Sequence, residues 1–268
     1  MNAAPVVGPY SQKMTNPELK ELLDRKVEQY ERPEFIAPDP ISIPHRYSRR
    51  QDIEITGLLA STIAWGNRKA IVRSAGEMAD RLGADPYDFI MSADEGQVER
   101  LGDFVYRTFQ KEDLPSMVRG LRAIYAADPE QGLERLFTPR AGETLRDGLI
   151  RFREAMLPHI AARTRKHIAD ASRGAASKRL CMFARWMARP SARGVDFGLW
   201  RGLSPSQLIM PLDVHSGRTA RCLGLLTRKQ DDWRAAAELT SALAAFCPKD
   251  PVKYDFALFS IGITEGGV

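Results

Sequence analysis

Cysteine is scarce in this 268-residue chain. The three thiols, Cys181, Cys222 and Cys247, are odd in number and far apart, with neither Cys-x-x-Cys spacing nor a neighbouring histidine pair. Neither a disulfide framework nor a zinc site is supported, and the thiols read as small hydrophobes in apolar helix faces. No run of about 18 consecutive apolar residues occurs, so no membrane-spanning helix is predicted. The first residues, MNAAPVVGPYSQKMTNPELKELL, lack the basic start and apolar run of a secretory signal, which points to a cytoplasmic protein. Long blocks of one charge sign, internal repeats, low-complexity tracts and a convincing series of alternating strands are also missing.

What is present is enough apolar side chain, 44%, to build the core of one large domain or two small lobes. Its periodicity is helical almost throughout. Asp52 precedes Ile55, Leu58, Leu59 and Ile63 at helical spacing, and similar patterns cover 17–31, 69–82, 113–126, 143–168, 178–189, 213–226, 231–246 and 251–261. Proline and glycine mark the connections, as in APDPISIPH (37–45), ADPY (84–87), ADPE (127–130), RPSARG (189–194) and PKDP (248–251). An all-α fold follows. Two helical lobes are expected, one from the middle of the chain and one from its N-terminal part plus its C-terminal end.

Net charge is only +5, a mild hint of an anionic partner, but its distribution is uneven. Between Arg151 and Arg193 eleven basic residues face two acidic ones, Glu154 and Asp170. Such a stripe can follow a phosphate backbone, or can be an ordinary solvated helix face.

The densest chemistry lies between Ser177 and Leu226, in SKRLCMFARWMARP and GVDFGLWRGLSPSQLIMPLDVHSGRTARCLGLL. Pro211 and Asp213 sit where a helix should begin, with Val214, Ala220, Leu223 and Leu226 available for its buried face. An aspartate there suits a helix cap as well as a catalyst. His215 is open to a similar pair of readings, and His45, after Pro44, suits a turn better than a DNA contact.

PLDVHSGRTARCLGL resembles the helix of helix-hairpin-helix DNA glycosylases that opens on a catalytic aspartate. KRLCMFARWM resembles the lysine-bearing helix of the archaeal 8-oxoguanine glycosylase branch. Together with WGNRK (65–69), FVYR (104–107), VDFGLW and DPVKYDFALFSIGI, these segments resemble an uncharacterised bacterial family of that superfamily. The resemblance implies a two-lobed helical glycosylase fold with an atypical hairpin, since only GAAS (174–177) offers a tight turn before Lys178. It also implies a monomer that acts on duplex DNA containing a damaged base and joins the nucleoid when engaged. Lys178 is then the nucleophile and Asp213 the carboxylate that stabilises charge on the sugar. Aligning Phe183 with the phenylalanine of the archaeal branch puts the lysine position on Arg179, one residue from Lys178. Trp65, Asn67, Arg68, Phe183, Trp186 and His215 become candidates for holding a flipped base, with Trp200 a further wall. Arg173, Arg179, Arg185 and Arg218 become DNA contacts. The four clustered cysteines of an iron-sulfur loop are missing, and no metal or other cofactor is implied.

Overall fold

The computed structural model describes residues 14–190 and 193–264. Most of the N-terminal stretch read for a signal, and Ser191 and Ala192 of the RPSARG turn, lie outside the described residues. Among those described, α-helices and 3-10 turns are joined by loops, with three isolated backbone bridges and no strand. In chain order the first helices are α1 (Asn16–Tyr30), α2 (Arg50–Thr62), α3 (Arg68–Leu82), α4 (Pro86–Ser92), α5 (Glu95–Arg100) and α6 (Asp113–Ala127). They are followed by α7 (Glu134–Phe137), α8 (Leu145–Met156), α9 (Lys178–Ala188), α10 (Val214–Cys222), α11 (Trp233–Ala244) and α12 (Asp255–Thr264). No helix among the described residues is long and apolar enough to cross a membrane.

The long periodic segments are helical, but several boundaries move for local reasons. The pattern over 143–168 is interrupted after Met156, where Pro158 removes a backbone donor and restricts Leu157. A separate 3-10 turn then occupies Thr164–His167. Helix α10 stops at Cys222 because Gly224 takes a left-handed φ of 73°. The region 251–261 opens on a 3-10 turn, Pro251–Tyr254, before α12 begins. Two packing expectations change as well: Val214 is exposed and Cys222 lies on the surface, whereas Cys181 is buried, with its thiol pushed up to about 12 by desolvation.

Helix α2 runs through the interior, with every side chain from Asp52 to Ile63 buried, and it packs against α3, α4 and α9. A helix enclosed on all sides must satisfy its polar groups with protein partners. Asp52 does so by accepting the backbone N–H of Tyr87 at 2.7 Å, so it caps α4 instead of the helix that carries it. Glu54 accepts from the Tyr125 hydroxyl at 2.7 Å, the Trp200 indole at 2.7 Å and Arg50 at 2.8 Å. His45 sits within the 3-10 turn Pro44–Arg46, but its ring does not close that turn: Nε2 lies 2.8 Å from the Val195 carbonyl and the ring stacks on Phe197, tying the turn to a loop far along the chain.

A buried ion cluster joins the two ends of the chain. Arg189, at the end of α9, binds Glu31 at 2.5 Å, Asp250 at 2.7 Å and Asp196 at 3.0 Å. One turn earlier, Arg185 binds Asp255 of α12 and lies 3.4 Å from Asp196. Helix α12 also packs against α1 and α10. The cluster thereby fixes α9 relative to α12. Arg189→Met would leave three carboxylates short of their main cation, and breaking a buried ion pair by removing one partner costs about 3–5 kcal/mol. Urea unfolding should show a loss of that order; a loss of less than about 1 kcal/mol would mean that the cluster does not hold these elements together.

Candidate active site

Asp213 is the N-cap of α10. Its Oδ1 accepts the backbone N–H groups of His215 at 2.9 Å and Ser216 at 3.0 Å, and Ser216 Oγ returns the bond by accepting from Asp213 N at 2.9 Å. This reciprocal box spends one carboxylate oxygen on the helix terminus. The other oxygen, Oδ2, faces Lys178 Nζ at 3.8 Å. Cap and ion pair are therefore filled by the same side chain, one oxygen each.

Lys178 is the first residue of α9 and follows a turn with two left-handed residues, Gly174 (φ 85°) and Ser177 (φ 53°). This turn is the GAAS segment, and it connects a single 3-10 turn, Ala171–Arg173, to α9. No α-helix immediately precedes it. One helical turn after Lys178, Met182 presents its Sδ at 3.4 Å from Nζ. Arg179 points elsewhere: its Nη1 donates to the Thr62 carbonyl and its guanidinium lies 5.0 Å from the centre of the Trp65 ring. Between the two neighbouring cations, Lys178 is the one that faces the carboxylate.

Lys178 and Asp213 lie on the wall of a cleft of about 540 Å³. Trp65 and Gly66, between α2 and α3, form part of it, and Met182, Asp255 and Phe259 form another part. Arg68 closes one side, held by Asp39 at 2.7 Å, with its guanidinium 4.8 Å from the Phe259 ring and 5.1 Å from the Phe35 ring. Burial raises the Asp255 carboxyl above its ordinary range, against the pull of Arg185 and Lys178, while the Asp213 charge adds to the rise. The cleft thus combines flat apolar surface with one amine and several carboxylates. Such a lining can enclose a planar heterocycle and fix its edge.

Several expected site residues lie elsewhere. Phe183 has no exposure; it packs edge-on against Phe137 and Trp200 in the core, and its place beside the cleft belongs to Met182. Trp186 borders the cleft but is fully buried, so it cannot present a free face to a base. Trp200 is 2% exposed and gives its indole N–H to Glu54. Asn67 caps α3 by accepting from Ala70 N at 3.2 Å. Arg185 is buried against Asp255 and Asp196 and is unavailable to DNA. His215 borders the cleft with an exposed side chain, while Arg173 and Arg218 are exposed away from its lining.

The basic stripe does not form one continuous outward face. Arg151 binds the carbonyls of Leu136 and Thr138 at 3.0 Å each and pairs with Glu143; Arg153 lies 3.5 Å from Asp170. With Arg185 and Arg189 in the buried cluster, only part of the stripe, including Arg163, Arg165, Lys166 and Arg173, faces outward. Asp255 and Phe259 were not singled out from the sequence, although their spacing of four within DPVKYDFALFSIGI puts both on one face of α12.

Residues 39–264 match the family model described as protein of unknown function, DUF2400. The chain belongs to the DUF2400 family. Neither the curated proteins nor the solved structures contain a match to it. The DUF2400 region opens at Asp39, the partner of Arg68, and closes at the end of α12. Of the cleft residues only Phe35 precedes it. For this DUF2400 protein, the two duties of Asp213 are separable by substitution. Asp213→Asn keeps a good cap and should change unfolding free energy by no more than a few tenths of a kcal/mol, about the spread among good caps; Asp213→Ala should cost about 1 kcal/mol. Equal destabilisation by both, read from urea curves, would show that the Lys178 pairing and not the cap carries the stability.

Proposed function

We propose that this DUF2400 protein is a base-excision DNA glycosylase with a lyase step, taking an oxidised purine such as 8-oxoguanine from duplex DNA into the cleft as a flipped nucleotide. The observation that carries the reading is the 3.8 Å approach of Lys178 Nζ to Asp213 Oδ2 on the wall of a cleft that also holds Trp65. The sequence resemblance around both residues supports it. The reading includes the two-lobed glycosylase architecture, with α1 and α12, which pack together, in one lobe.

In the proposed reaction Lys178, as the neutral amine, attacks C1′ of the extruded nucleotide. The C1′–N9 bond breaks, and the base leaves with that electron pair and takes up a proton. Positive charge developing on the sugar is stabilised by Asp213, whose orientation is fixed in advance by the two backbone bonds to Oδ1. Opening of the sugar gives an imine, and removal of a C2′ proton expels the 3′ phosphate and nicks the strand. Lys178 gives up its ammonium proton to solvent before attack, so that Asp213, paired with it at rest, stays an ionised carboxylate while the C1′–N9 bond breaks. Trp65 and Phe259 supply flat surfaces for the base, and Arg68, Asp39 and Asp255 supply donors and acceptors for its edge.

The test is base release and strand scission measured separately on 8-oxoguanine duplex and on a panel of other lesions. Wild-type protein should do both on at least one lesion. Lys178→Gln should abolish scission, and Asp213→Asn should slow base release by about a hundredfold or more, the scale seen when a charge-stabilising group is removed. Base release with intact strands would reassign the protein as a monofunctional glycosylase. Duplex binding without release from any lesion would leave a helical DNA-binding protein and end the enzymatic reading.

A further inference from the structure

Beside the cleft stands a small turn that the excision chemistry does not use. Tyr106 and Phe109 exchange both backbone hydrogen bonds, each 2.8 Å, and close a hairpin whose central residues, Arg107 and Thr108, are exposed. Arg107 has a left-handed φ of 53°. Tight hairpin turns favour glycine, asparagine or aspartate at such a position, because a longer side chain is crowded there. A strained arginine at the tip of a turn raises the question of what its side chain does.

Its surroundings place it at the rim of the cleft. The Tyr106 hydroxyl donates to the Trp65 carbonyl at 2.7 Å, and the two rings meet edge-on with centroids 5.5 Å apart. The Arg107 guanidinium lies over Gly66 of the cleft wall, where a Cβ would come within 2.5 Å of Nη1. The turn Thr164–His167 packs behind the hairpin, with the His167 ring 4.9 Å from Phe109 and 5.9 Å from Trp65. Arg163 donates to the Thr108 carbonyl at 3.4 Å, and Arg165 and Lys166 are exposed on the same turn. The acidic residue between these elements, Asp113, is buried and occupied: it accepts from Thr164 Oγ1 at 2.7 Å, lies 3.1 Å from His167 Nε2 and is 3.7 Å from Arg163 Nε. Exposed acids in the flanking segment are Asp103 and Glu112, with Lys111 between them.

We infer that this hairpin and the turn behind it form a phosphate-binding surface, on which Arg107 grips the backbone of duplex DNA at the edge of the cleft and Arg163 and Lys166 extend the track. The identity of the duplex rests on the excision reading; the surface itself requires only phosphodiester charge. Trp65 joins the two, since it lines the cleft and also packs against Tyr106 and His167.

The deciding experiment measures affinity for an undamaged DNA duplex across a salt series, in parallel with melting temperature. Arg107→Gly relieves the left-handed strain, so it should melt no lower than wild type while binding roughly three- to tenfold more weakly at low salt. Its plot of log affinity against log salt should be shallower by about one unit. The double variant Arg163→Gln/Lys166→Gln should flatten the plot as well. Unchanged affinity and slope in both proteins would overturn the inference. A wild type that releases no base, with variants that show these losses, would sink the excision reading and leave the surface standing. A wild type that nicks DNA while both variants keep their affinity and slope would do the reverse.

Discussion

The buried cluster around Arg185 and Arg189 is the interaction on which the rest of the molecule depends. Two guanidinium groups on one face of α9 take hold of Glu31 after α1, Asp196 in the following loop, Asp250 before the last 3-10 turn and Asp255 at the start of α12. Charges removed from water are costly, and they are retained here in a geometry that leaves little freedom to slide. Since α9 starts at Lys178 and α12 carries Asp255 and Phe259, holding these two helices in register sets the width of the cleft between them. The pairing of Lys178 with Asp213 is downstream of that constraint, because α10 in turn packs on α12.

Helical class and the long helices were legible in the sequence, since apolar periodicity survives any detail of packing. The start of α10 at Asp213 was legible for the same reason that it is ambiguous: aspartate at a helix start satisfies backbone donors whatever else it does. The side-chain register on α9 was harder to read. Successive residues on a helix are about 100° apart, so reading Phe183 in place of Met182 moves a wall residue from the cleft into the core. The same rotation separates Lys178, which faces Asp213, from Arg179, which lies under Trp65. Arg185 reads as a DNA contact from sequence because its main partner, Asp255, lies 70 residues further on; only the fold brings the two together. Asp52 likewise caps a helix 35 residues further on. Long-range pairing of charges leaves no periodic trace.

Asp213 caps α10 and pairs with Lys178 without conflict, because each of its oxygens has a separate partner. In the proposed excision chemistry this division amounts to preorganisation, because the helix terminus orients the carboxylate in advance. Left-handed backbone outside glycine occurs, among the described residues, at exposed Arg107 and at buried Ser177 just before Lys178, while the interior carboxylates Asp113, Glu54 and Asp255 all find partners. The fold alone does not dictate an activity, and the excision reading stands on the residues of the cleft.

The most direct measurement is borohydride reduction of the protein during incubation with a lesion-containing duplex, followed by peptide mapping of any protein–DNA adduct. The account predicts one covalent adduct, carried by the peptide that contains Lys178. An adduct mapped to another lysine, or a cleaved substrate with no adduct at all, would contradict the assignment of Lys178 as the nucleophile facing Asp213.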